Sequence, residues 1–142
     1  MTKSMRAITA FIGLFMLMPG TVKFFDPFKT MFTVQIKNSE LPFPVLSYWA
    51  GQLGEISVGL MLFALVFFWD KIQSTVAEKI FYLSHLLVAV IMAVSLYVHA
   101  HPNVPAEVLP FEEKFPFLSI LLLILVGLNI YLYRKEMASR KI

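Results

Sequence analysis

Acidic and basic residues divide this 142-residue chain into four long apolar stretches. Between Arg6 and Lys23 lie 16 residues without Asp, Glu, Lys or Arg. From Leu41 to Phe68 the only such residue is Glu55; from Ile80 to Ala106 and from Phe115 to Tyr133 there is none. A helix crossing about 30 Å of hydrocarbon needs about 20 mostly apolar residues at about 1.5 Å of rise each. The pattern therefore predicts spans near 6–25, 46–69, 79–99 and 116–134: an all-α, four-transmembrane-helix bundle in one domain over residues 1–142. With 58% hydrophobic and 15% charged residues, the composition excludes a disordered chain, a nucleic-acid-binding domain and an ordinary soluble enzyme. The absence of cysteine excludes disulfides, zinc–thiolate sites and thiol chemistry.

Of the eight prolines only Pro19 sits well inside a span, where it should kink or loosen the first helix. Gly13, Gly20, Gly51, Gly54, Gly59 and Gly127 also lie in spans, and small residues there let helix backbones approach closely. The first span follows Lys3 and Arg6 much as a secretory signal would, but no A-x-A-like cleavage site follows, so it reads as a retained helix. Lys and Arg set the orientation. With the N-terminus inside, the cytoplasmic face receives Lys3, Arg6, Lys71, Lys79, Arg134, Lys135, Arg140 and Lys141, against Lys23, Lys29, Lys37 and Lys114 outside. Eight against four predicts a multi-pass inner-membrane protein with both termini cytoplasmic. Tyr48, Trp49 and Trp69 fall at span ends, where aromatic anchors belong. In the first external loop, roughly 26–45, Phe28, Met31, Phe32 and Ile36 recur at helical spacing. This segment reads either as a short interfacial helix over the outer mouth of the bundle or as a loop packed on it.

Charge inside hydrocarbon costs about 2.5–3.5 kcal/mol on insertion scales, so Glu55 calls for a partner or a proton. With the second span centred near Val58, Glu55 lies about 4–5 Å to the outer side of the midplane. Lys23 lies about 10 Å out if the first span is centred near Met16, and its long stem can bend inward to Glu55 or outward to headgroups. Gln52 precedes Glu55 by three residues and shares its face. His99 follows His85 by 14 residues, four turns, with His99 high and His85 low. The fourth span offers Ser119 high and Asn129 low. Two polar groups emerge: an outer cluster of Lys23, Gln52, Glu55, His99 and Ser119, and an inner pair, His85 and Asn129. His99 has a second reading, shared with His101: solvated histidines capping a helix before Pro102. Their i,i+2 spacing is not that of a helical zinc site, and no metal is expected. Phosphate-binding loops, dinucleotide fingerprints and hydrolase elbows are missing from the sequence. Paired haem ligation would need further histidines on another helix, and the chain has only three.

The first half of the chain carries an ordered motif set. Arg6, Gly13, Gly20 and Lys23 form R-x6-G-x6-G-x2-K; Leu41-Pro42-Phe43-Pro44 precedes the second span, which opens Ala50-Gly51-Gln52-Leu53-Gly54-Glu55 and continues to Gly59. This set resembles the DoxX family of four-helix bacterial membrane proteins over residues 6–60. The later half is similar in hydropathy, helix count and the histidine closing the third span. The Gly-rich, Ser/Asp-bearing end often seen on the family's last helix is replaced here by Gly127-Leu128-Asn129 and a basic tail. The resemblance implies a quinone-linked role: a redox-associated subunit binding a quinone or similar lipophilic small molecule between its helices. Glu55 would be its catalytic proton site, with Lys23 setting the charge and Gln52 orienting the head group. The chain supplies no redox cofactor of its own, so electrons would come from a redox partner or a dissociable cofactor. Two other functions fit the same pattern. One is a non-catalytic membrane assembly factor whose polar cluster only fixes helix register. The other is a small proton-coupled transporter subunit acting as a homo-oligomer.

Overall fold

The computed structural model describes residues 1–139; Arg140 and Lys141, two of the basic residues assigned above to the cytoplasmic face, lie outside the described residues. The described chain is all-helical: α1 (Lys3–Val22), α2 (Phe28–Asn38), α3 (Pro44–Phe68), α4 (Ser74–Ala100) and α5 (Phe117–Ser139), with two short 3-10 turns at Ala106–Val108 and Pro110–Glu112. Four of the helices, α1, α3, α4 and α5, are long and apolar enough to cross a membrane.

Local chemistry sets the helix boundaries. The Thr2 hydroxyl accepts a hydrogen bond from the Met5 amide at 3.3 Å, capping α1. Pro44 opens α3, where its fixed φ suits the first turn and its missing amide costs nothing. α1 continues through Pro19 to Val22, although proline has no amide to offer the Phe15 carbonyl. Along each long helix the buried positions recur every three or four residues, as one helical face requires. The buried face is Met5, Thr9, Ile12, Met16 and Gly20 on α1; Gln52, Glu55, Val58, Leu62 and Leu65 on α3. On α4 it is Ala77, Phe81, His85, Val88 and Met92, and on α5 Ser119, Leu122, Val126, Asn129 and Tyr133. The opposite faces expose Leu14, Leu60, Phe67, Leu86 and Ile124. Polar groups inside and large apolar side chains outside invert the arrangement of a water-soluble bundle, and the protein is an integral membrane protein.

α1 and α3 pack backbone to backbone. A Cβ on Gly59 would lie 2.8 Å from the Leu17 amide nitrogen, and one on Gly20 would lie 2.7 Å from Ile56 Cγ1 and 3.1 Å from Ile56 N. The close approach therefore needs glycine at both positions. A Cβ on Gly51 would lie 3.1 Å from the Phe32 ring, whereas one on Gly54 would meet only Ile91 at an ordinary 3.5 Å, and Gly127 faces open space.

The two ends of the bundle differ. At the terminal end, Arg6 hydrogen-bonds Asp70 and ties the start of α1 to the α3–α4 turn. Beneath it Trp69, Phe81, Tyr82 and Tyr133 pack ring against ring, with Phe81 stacked 4.7 Å from Tyr133. Trp69 thus turns into the bundle, whereas Trp49 stays exposed as an anchor would. The middle layer is Ile12, Met16, Val58, Leu62, Val88, Met92, Leu122 and Val126, drawn from all four spans. At the other end α2 lies along the bundle with Phe32 and Ile36 buried and Phe28 exposed. The segment is therefore both helical and packed. Side-chain bonds join α2 and the turn after it to the end of α4 and the α4–α5 connection: Gln35 donates to the Val108 carbonyl, Tyr97 Oη to the Ser39 carbonyl at 2.9 Å, and Asn103 Nδ2 to Glu40 Oε1 at 3.0 Å.

Candidate functional site

Lys23 follows the last turn of α1, and Glu55 faces it from α3 across the glycine contact. Lys23 Nζ donates to both Glu55 carboxylate oxygens at 2.7 Å, with the two side chains only 14% and 12% exposed. The ammonium also sits 4.0 Å from the centroid of the Phe32 ring, so α2 closes over the pair. The inward reading of Lys23 holds and the headgroup reading does not. Gly20 makes the meeting feasible: a side chain there would strike Ile56 and press within 3.1 Å of Glu55 Cβ. Gln52, one turn earlier, is fully buried and donates from Nε2 to the Gly20 carbonyl at a long 3.4 Å. Its Oε1 is buried with no hydrogen-bond partner among the described residues. Turning the amide over would set two carbonyl oxygens against each other, which fixes its orientation.

His99 is 7% exposed, and its Nδ1–H donates to the Ser95 carbonyl at 2.9 Å. Burial corrects the reading of His99 as a solvated cap. His101 is the residue that ends α4, half-buried, with Nδ1 accepting from the Asn103 amide at 3.3 Å. Ser119 is buried on α5 and shares a 2.8 Å hydrogen bond with Ser95 of α4. Ser95 is thus the bridge between His99 and Ser119, and the sequence reading omits it.

These groups face a common cavity of about 690 Å³ at the α2 end of the bundle. Lys23 and Glu55 lie on one side, and Ser95, His99 and Ser119 also line it. Gln35 of α2 and Glu113 of the α4–α5 connection add two further polar groups, and the rest of the lining is apolar, with Phe15 and Met18 of α1, Met31 and Phe32 of α2, Met92 of α4, and Phe117 and Leu122 of α5. Met18, Phe28, Phe111, Phe115 and Phe117 of the lining are each about half-exposed or more, so the cavity opens to the protein surface. Pro19 lines the same cavity. Gln52 does not line the cavity; it stands behind Glu55, between α3 and α1.

The inner pair belongs to a buried network toward the terminal end, in which Asn129 Oδ1 finds no hydrogen-bond partner among the described residues. His85 Nδ1–H donates to the Phe81 carbonyl at 2.7 Å, which leaves Nε2 as an acceptor. Asn129 Nδ2 spends its two hydrogens on His85 Nε2 at 2.9 Å and Thr9 Oγ1 at 2.8 Å. Three helices are pinned by one amide. Thr9 is absent from the sequence reading, although it stands on the inward stripe of α1 between Met5 and Ile12. Among the described residues no three His, Asp or Glu side chains form a group able to hold a metal ion. Comparison with protein-family models, curated proteins and solved structures finds no match for this chain.

Proposed function

We propose that this protein binds a lipophilic small molecule with a polar head, of the quinone class, in the cavity between α1, α2, α4 and α5. The observation that carries the reading is the cavity itself: a mostly apolar chamber open to the protein surface, with an ion pair and a histidine–serine group at its polar wall. Ligand pockets of about 300–1,000 Å³ with mostly apolar lining and few convergent polar groups are the usual form of small-molecule sites. A bound quinone supplies two-electron, two-proton redox chemistry. Phe15, Met31 and Phe117 would hold its ring and tail, Glu55 would take up or release a proton at its carboxylate, and Lys23 would balance the charge of the deprotonated form. Gln52 acts only through Glu55, by fixing the α1–α3 contact behind it. The proposal includes DoxX-like kinship, which rests on the motif order in residues 6–60. It also includes an inner-membrane location with cytoplasmic termini, which rests on the Lys and Arg distribution.

A second reading has its own observation: both Glu55 oxygens are already engaged by Lys23, as a purely architectural pair would be. That arrangement suits a non-catalytic assembly factor. One experiment separates the two. Protein purified in mild detergent is extracted with organic solvent and assayed for quinone by mass spectrometry. Near-stoichiometric quinone in the native protein and its loss in Glu55→Gln supports the binding reading. No quinone in the native protein, or equal amounts in a well-folded Glu55→Gln, supports the architectural one.

A further inference from the structure

We infer that the cavity is built for the hydroxyl-bearing, reduced form of such a ligand: a quinol or other lipophilic phenol, in preference to the quinone. The inference rests on the cavity reading above and concerns which hydrogen-bonding group its polar wall accepts.

The donors and acceptors facing the cavity decide the matter. His99 spends its Nδ1 hydrogen on the carbonyl of its own helix at Ser95, 2.9 Å away, which fixes the ring so that Nε2 carries a lone pair. Nδ1 faces back along α4, so Nε2 points away from it. Nε2 has no partner among the described residues, yet the residue is more than nine-tenths buried and lines the cavity. This is a preformed, unsatisfied acceptor. The obvious donor opposite is already occupied: Lys23 makes two 2.7 Å bonds to Glu55 and stands over the Phe32 ring. Glu55 and Glu113 add only acceptor capacity, and Gln35 spends one of its two Nε2 hydrogens on the Val108 carbonyl. Ser95 and Ser119 bond each other at 2.8 Å, which uses one of their two hydroxyl hydrogens and leaves one.

A ligand hydroxyl suits this wall. It donates to His99 Nε2 while its oxygen accepts the spare serine hydrogen. A carbonyl takes the serine hydrogen, or the second hydrogen of Gln35, but leaves the histidine lone pair facing an oxygen lone pair. Buried acceptors stranded in this way are the main source of discrimination between a hydroxyl and its absence. The expected preference is about tenfold or more.

The test is a binding titration of the full-length protein in lipid nanodiscs under argon. Its probes are a benzoquinone carrying one isoprenoid unit and the benzoquinol made from it with dithionite, followed by calorimetry. The expected result is a Kd for the quinol about tenfold or more below that of the quinone. His99→Phe should erase the difference, and His99→Gln, which restores an acceptor oxygen, should retain most of it. Equal affinities, or tighter quinone binding, in the native protein would overturn the inference while leaving the cavity reading intact. A preference that survives in His99→Phe would also overturn it. If neither probe binds the native protein, the cavity reading falls and the inference with it. The native comparison stands alone should a variant fail to fold.

Discussion

Replacing the two partners of the Lys23–Glu55 pair should give sharply unequal losses. At 2.7 Å and an effective dielectric of about 20, their attraction is about 6 kcal/mol. Desolvating two ions costs several kcal/mol each, so the pair contributes little beyond what neutral residues of similar shape would. Lys23→Met keeps most of the apolar stem and strands the Glu55 carboxylate, only 12% exposed and too short to reach water. The expected loss is about 3–5 kcal/mol. Glu55→Gln strands an ammonium instead, but Lys23 lies at the very end of α1 and its stem can swing to the headgroups. The expected loss is about 1–2 kcal/mol, the scale of one charged hydrogen bond. The double variant should return to within about 1 kcal/mol of the native protein, well above the sum of the single effects. Unfolding by SDS in mixed micelles, followed by circular dichroism, measures all four species. Additive losses, or equal penalties for the two single variants, would refute the reasoning.

Two further tests address the frame around that pair. Gly59→Ala drives a methyl into the α1 backbone at Leu17 and should cost about 1–3 kcal/mol, whereas Gly127→Ala, in open space, should be neutral or stabilise by up to about 1 kcal/mol; thermal melting in detergent compares them. Because the chain has no cysteine, single cysteines report topology cleanly. A membrane-impermeant maleimide should label Glu107→Cys on intact cells and Gln73→Cys only after permeabilisation. The reverse pattern, or equal labelling of both, would refute cytoplasmic termini.

The spans were legible because desolvating charge is so costly that charged residues mark the ends of helices almost by themselves. The Lys23–Glu55 meeting was legible for a geometric reason: helical rise places the two within one lysine stem of each other. The inner network was half-legible. His85 and Asn129 announce themselves as polar groups in apolar sequence, but Thr9 is small enough to pass for a packing residue. Its signal was its position on the stripe through Met5, Ile12 and Met16. Ser95 was hidden similarly, since nothing local says that a serine on α4 will face Ser119 of α5. The cavity could not be read at all. It depends on which helices are neighbours and on the 101–116 connection folding back over α2, and neither property is periodic in sequence. Burial of His99 follows from the same connection: Val98, Val104 and Leu109 pack together there and take the end of α4 out of solvent.

Stiffness is distributed unevenly along this molecule. The terminal end is clamped by four interlocked aromatic rings, the Arg6–Asp70 tie and one amide holding three helices. The opposite end holds empty volume and side-chain latches in place of packed rings. A bundle so constructed should behave like a clothes-peg: the tips of α1 and α5 yield first while the fulcrum keeps every helix in step. Backbone amide exchange should therefore grade from slow to fast along each long helix, with the fast end always the one nearest Lys23.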